Sequence, residues 1–128
     1  MKDIENRNDI DELMKKFYAK AIPDEVIGYF FTDVTKMDII NHLPIIGDFW
    51  ESILFDMNKY NGDPMKIHQK INHLSQFKKE HFERWIMLFT STVNEMFEGE
   101  MAERAKQRAR SIATVMKIKL VYGGIIKK

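Results

Sequence analysis

Apolar residues recur along most of this chain at the three- and four-residue steps of a helix, a pattern that predicts an all-α protein. Ile10, Leu13, Met14, Phe17, Tyr18 and Ala21 form the first such face, with Asn8 or Asp9 available as its cap. Pro23 forces an end near Ala21 or Ile22, and Asp24 can start a short helix through Gly28, Tyr29, Phe30 and Phe31. Thr35, with Asp38 three residues on, is patterned as a capping start for a helix reaching about Met57. Its inner face is Ile39, His42, Ile46, Phe49 and Ile53, with Trp50 beside it. Pro44 lies inside that pattern, where a missing N–H and a crowding ring predict a kink or break next to His42.

Asn58 to Pro64 is a turn cluster, and Asn72 to Gln76 reads as a second irregular connection, so His68 sits in a short segment bracketed by loops. The next pattern carries Phe82, Trp85, Ile86, Phe89, Val93, Met96 and Phe97 on one face of a helix about 20 residues long, with Gly99 as its terminator. A last helix shows Met101, Ala105, Ala109, Ile112, Met116 and Leu120 on one stripe and is closed by Gly123 and Gly124. Arg104, Arg108, Arg110, Lys117 and Lys119 lie opposite, a solvated face in the simplest reading.

Composition narrows what such helices can do. A chain of 128 residues is one domain, residues 1–128, able to bury roughly two-thirds of the surface its unfolded form exposes. With 45% hydrophobic and 12% aromatic residues it is an ordered globule. A net charge of +1 gives no whole-molecule field to gather nucleic acid or an anionic membrane. No apolar run is long enough to span a bilayer, and Met1 to Arg7 lacks the apolar stretch of a signal peptide, so a cytoplasmic protein is expected. The absence of cysteine fits a reducing compartment and excludes disulfides, thiolate-ligated haem, Cys-x-x-Cys-His haem attachment and cysteine nucleophiles. There is no His-Glu-x-x-His zinc signature, no phosphate-cradling glycine loop and no Gly-x-Ser-x-Gly elbow.

What remains is a histidine among aromatics. His68 stands between one pattern carrying His42, Phe49 and Trp50 and another carrying Phe82, Trp85 and Phe89, with Tyr18 upstream. A neutral imidazole facing an aromatic pocket without cysteine suits a five-coordinate haem iron. Each residue also has a plainer role. His73 and His81 read as satisfied or surface histidines, Tyr18 and Trp85 as core aromatics with a polar tip, and the nine methionines as gap-filling core.

Several segments, in order, resemble the group III truncated haemoglobins, from about Ile10 to Gly124. Leu13-Met14-Lys15-Lys16-Phe17-Tyr18 is similar to the family's distal tyrosine segment, and Ile45-Ile46-Gly47-Asp48-Phe49-Trp50 to its distal helix, with His42 at the distal histidine position. Tyr60 to His68 resembles the approach to the proximal ligand, and Phe82 to Phe89 the segment bearing a haem-facing tryptophan. The glycine-pair motifs of the other truncated groups are missing between Pro23 and Thr35, and Pro44 departs from the family pattern.

The resemblance implies a truncated globin fold, a short helical sandwich around haem b. It makes His68 the iron ligand, places Tyr18, Trp85 and His42 beside a bound gas, and has Phe31, Ile46, Phe49, Trp50 and Trp85 line the cofactor site. Oxygen, nitric oxide and carbon monoxide are the implied ligands. Nitric oxide dioxygenase-like or peroxidase-like chemistry is favoured over oxygen delivery. With no flavin or nicotinamide motif in the chain, a separate reductase is implied, and the expected state is a monomer. Two other readings stay open: a haem-based sensor or carrier acting through a partner protein, and a cofactor-free helical interaction module.

Overall fold

The computed structural model describes residues 1–36 and 38–122, and all regular structure among them is helical. Five α-helices occur in the order α1 (Arg7–Ala21), α2 (Ile39–Phe55), α3 (Pro64–Leu74), α4 (Lys79–Met96) and α5 (Glu100–Lys117), with π-helical turns at Phe30–Val34 and Ile118–Tyr122. Helix α1 packs on α2 and α4, and α4 packs on α5, giving the expected two-layer helical sandwich. Its centre is built from Phe17, Leu13 and Met14 of α1, Trp50 and Leu54 of α2, Phe89 and Val93 of α4, and Ala102, Ala105 and Ala109 of α5. The three alanines put little bulk where α5 meets the core, while Met101, Ile112 and Met116 of the same helix are larger.

Element boundaries depart from expectation in physically instructive ways. Helix α1 is capped by Asn6, whose Oδ1 accepts from the Asp9 amide at 3.0 Å, and not by Asn8 or Asp9. Asp9 is buried instead, accepting from the Glu5 amide and from Lys2. Asp24 starts no α-helix. Its carboxylate takes the Val26 and Ile27 amides in a tight turn, and the chain then winds into the π-helical turn. Helix α2 begins after Asp38, because the Thr35 hydroxyl is committed to the Phe30 carbonyl at 2.8 Å.

Pro44 does not break α2, which runs through it. It sits in the second turn, so the one hydrogen bond it forfeits would have gone to the carbonyl of Ile40, at the exposed start of the helix. The Pro44 carbonyl is held by Arg7 Nη2 at 2.9 Å. The same guanidinium reaches Asp11, Asp48 and Glu51 at 2.7–2.8 Å, riveting α1 to α2. It crosses α2 at Gly47, where a Cβ would lie 2.6 Å from Nη2.

Helix α3 extends to Leu74, through residues expected to be irregular, and the connection to α4 is correspondingly short. Helix α4 ends at Met96. Gly99 does not terminate it but precedes α5, at φ 141°, where Asp3 accepts the Met101 and Ala102 amides at 2.9 and 2.8 Å. The chain's start therefore caps its last helix. Gly123 and Gly124, expected to close that helix, lie outside the described residues.

Candidate functional site

Between α2 and α4 the sandwich opens into a cavity of about 280 Å³. All eight residues singled out from the sequence, Tyr18, Phe31, His42, Ile46, Phe49, Trp50, His68 and Trp85, line it. They are not equivalent. Trp50 is buried at the base, stacked on Phe89 with ring centroids 4.8 Å apart, and belongs as much to the core as to the cavity. His42 is exposed at the mouth, its Nδ1 donating to the Asp38 carbonyl at 3.0 Å.

His68 lies on α3, one turn after Pro64. The spacing is decisive, since residues four apart on a helix are stacked and the carbonyl of Pro64 faces the imidazole. Nδ1 lies 2.7 Å from that carbonyl oxygen. A carbonyl only accepts, so Nδ1 carries the proton and Nε2 keeps its lone pair, the form in which histidine binds a metal. Burial holds His68 below the ordinary histidine range, partly offset by this hydrogen bond. The turn that delivers α3 is set locally. The Asp63 Oδ1 accepts the Lys66 amide at 3.1 Å, and Pro64 occupies a first-turn position where no amide is needed. No residue of α3 is fully buried; Pro64, Ile67, His68 and Ile71 face the cavity, and Met65 and Ile71 pack against the cluster of Phe77, Phe82 and Met116.

Tyr18 and Trp85 line the same cavity from α1 and α4. The Tyr18 ring meets Phe17 and Phe31 edge-on at 4.9 and 5.7 Å, and Trp85 stacks on Phe89 at 5.5 Å. Neither the Tyr18 hydroxyl nor the Trp85 indole N–H has a hydrogen-bond partner among the described residues, although both side chains line the cavity. Burial pushes the Tyr18 phenol up to about 12, so it remains a donor at any ordinary pH.

Several lining residues were not singled out from the sequence. Ile27, Phe30, Tyr60, Phe77 and Phe82 complete the apolar wall, and His81 joins them. Tyr60 lies in a turn cluster and Phe77 just past the expected connection Asn72 to Gln76, where periodicity gives no face. His81 is buried and hydrogen-bonded, as its reading as a satisfied histidine anticipates, whereas His73 is exposed.

A flat, mostly apolar group with a metal at its centre matches this donor set: one lone-pair imidazole from α3, aromatic walls, and two unsatisfied donors from α1 and α4. Fold and site together are those of a truncated globin. A crystal structure of the group III truncated hemoglobin from Campylobacter jejuni matches with a TM-score of 0.81 at 34% identity, covering 94% of this chain and 95% of that one. The group 3 truncated hemoglobin ctb of the same organism is 34% identical over 123 residues, 93% of this chain and 94% of the relative. No model of a known protein family matches the chain. The chain belongs to the group 3 truncated hemoglobins, a family of haem-binding globins. Among the described residues no helix is long and apolar enough to cross a membrane.

Proposed function

We propose that this protein holds haem b with His68 as its iron ligand and uses it for nitric oxide and oxygen chemistry rather than for oxygen delivery. The observation that supports this most is the pairing of a lone-pair imidazole on α3 with two unsatisfied donors, Tyr18 Oη and Trp85 Nε1, across one apolar cavity. The group, when bound, supplies a redox-active iron able to take up oxygen, nitric oxide or carbon monoxide. Everything else is the work of the chain. His68 presents Nε2, and the Pro64 carbonyl fixes its tautomer and raises its basicity. Tyr18 and Trp85 donate to the partly negative atom of a gas ligand, while Phe31, Ile46, Phe49 and Trp50 exclude water. His42, at the mouth, stands where ligands enter.

If each donor contributes about 1.5–3 kcal/mol, the pair slows ligand loss by roughly a hundred- to ten-thousand-fold. The two contributions need not add. Such retention suits a protein that keeps a gas for reaction. Catalytic turnover then requires re-reduction by a separate reductase. A monomer in a reducing compartment such as the cytoplasm fits a chain without cysteine.

The test is an absorption spectrum, ferric and then reduced, with and without carbon monoxide, on wild type and His68→Gly. A strong Soret band that shifts with carbon monoxide, is lost in the variant and returns with added imidazole is expected. A wild-type protein that takes up no haem would overturn the proposal.

A further inference from the structure

The cavity contains a second imidazole, this one buried, that the proposed chemistry does not use. His81 is the third residue of α4, and its Nδ1 accepts the Lys78 backbone N–H at 2.9 Å. Glutamate or glutamine at this position of a helix makes the same reciprocal bond, closing the first turn. Here a histidine makes it, and the consequence differs. An amide N–H only donates, so Nδ1 must be unprotonated, and the neutral ring carries its proton on Nε2, which donates to the Tyr29 hydroxyl at 3.3 Å.

The ring is caged by Phe30 at 4.9 Å, Tyr29 at 5.8 Å and Phe77 at 6.4 Å, and it lines the cavity one turn before Trp85 on the same face of α4. The titratable and charged groups around it are Tyr29 from the preceding segment, Lys78 from the α3–α4 connection and Glu80 on α4 itself. Lys78 and Glu80 act with opposite sign, and burial outweighs both in holding the imidazole below the ordinary histidine range. On the far side of Phe77 lies His68, whose ring is 6.0 Å from that of Phe77.

The geometry points to His81 as an acid-operated latch on the haem cavity: neutral, it ties the first turn of α4 to the segment bearing Tyr29; protonated, it gives up the Lys78 amide and loosens that wall. Imidazolium needs a proton on Nδ1, the atom now facing an N–H donor, so charging the ring and keeping the cap are mutually exclusive. Glutamine in the same place would cap without titrating. The latch therefore holds at neutral pH and opens as pH falls below the ordinary histidine value of about 6.5.

The inference rests on the haem reading only for what the latch retains, and the experiment separates the two. Nitrogen NMR of the imidazoles and amide hydrogen exchange, followed between about pH 7.5 and 5, report the His81 tautomer and the protection of the Lys78 amide, with or without haem. In wild type, proton on Nε2 and a protection factor that falls at least about tenfold as His81 becomes charged are expected. In His81→Gln the protection persists without a pH step. A proton on Nδ1 at neutral pH, or the same step in the glutamine variant, would overturn the latch. Tyr29→Phe serves where His81→Gln fails to fold. The imidazolium loses its acceptor there, so the step moves to lower pH, and an unmoved step refutes the pairing. Haem transfer to an acceptor apoglobin then reads the consequence. Acid should accelerate it more in wild type than in His81→Gln, and equal acceleration would sever the latch from haem retention. Failure to take up haem would overturn the proposed function while the amide measurement still decides the latch.

Discussion

Replacing Tyr18 by phenylalanine separates what the hydroxyl does for the fold from what it does for a gas ligand. The ring's contacts with Phe17 and Phe31 survive the change, and the oxygen removed has no hydrogen-bond partner among the described residues. Deleting an unpaired polar group from an apolar wall costs no protein interaction, so stability should be unchanged or raised by up to about 1 kcal/mol. For the ligand the sign is opposite. A phenol held at about 12 is a proton donor throughout the working range. Its loss removes about 1.5–3 kcal/mol from a partly negative ligand atom, a roughly 10- to 150-fold faster departure. Stopped-flow displacement of oxygen by carbon monoxide, run beside thermal unfolding of the same preparation, reads both quantities. An oxygen off-rate within about twofold of wild type, or a lowered melting temperature, would refute the reasoning. The first result would mean that the hydroxyl does not reach the ligand, the second that it holds the fold.

Arg7→Met should cost about 2 kcal/mol in chemical denaturation, because buried Glu51 keeps only Lys59 as a partner; the figure is below that of a fully buried pair since Arg7 is 27% exposed. Burial pushes the Asp24 carboxyl upward, but Arg84 and the Val26 and Ile27 amides outweigh it and hold the group below the usual carboxylate range. Its stabilisation is therefore complete above the unfolded value of about 4 and is lost as pH falls through the folded one. Asp24→Asn should flatten the acid limb of a stability-versus-pH curve and lower stability at neutral pH; an unchanged limb would contradict this. Pro44→Ala restores an amide to the second turn of α2 while keeping the carbonyl that Arg7 holds, and should raise stability by about 1–2 kcal/mol, readable as an upward shift in melting temperature.

Residues whose role follows from periodicity were legible in the sequence. Leu13, Phe17, Phe89 and Val93 are fully buried as their faces required, and the residues matched to the family's segments converge on one cavity. What escaped depends on contacts between distant parts of the chain. Nothing local announces that Arg7 will span α1 and α2, or that Asp3 will cap α5. Thr35 and Asn8 are competent caps by residue type, but competing hydrogen bonds elsewhere decided the boundary. Pro44 was read by its cost in a helix interior, and the structure places it where that cost falls on one bond near an exposed end. Asn72 to Leu74 continue α3 without contributing a fully buried side chain, so no hydrophobic face marked them in the sequence.

That last feature carries a consequence for how such proteins can diverge. Since none of its residues is fully buried and only Met65 and Ile71 pack on the core, substitutions at the outer positions of α3 meet few packing constraints and are open to almost any helix-compatible residue. Two requirements remain: a carbonyl one turn before the imidazole, and a first residue that needs no amide. Pro64 meets both. A proline four residues ahead of a histidine, preceded by a capping aspartate, is one way to meet them, since proline starts the helix without forfeiting a bond and still offers its carbonyl. A relative with a proline between those two positions, which would break the first turns of α3, should lose the fixed tautomer while keeping the rest of the sandwich.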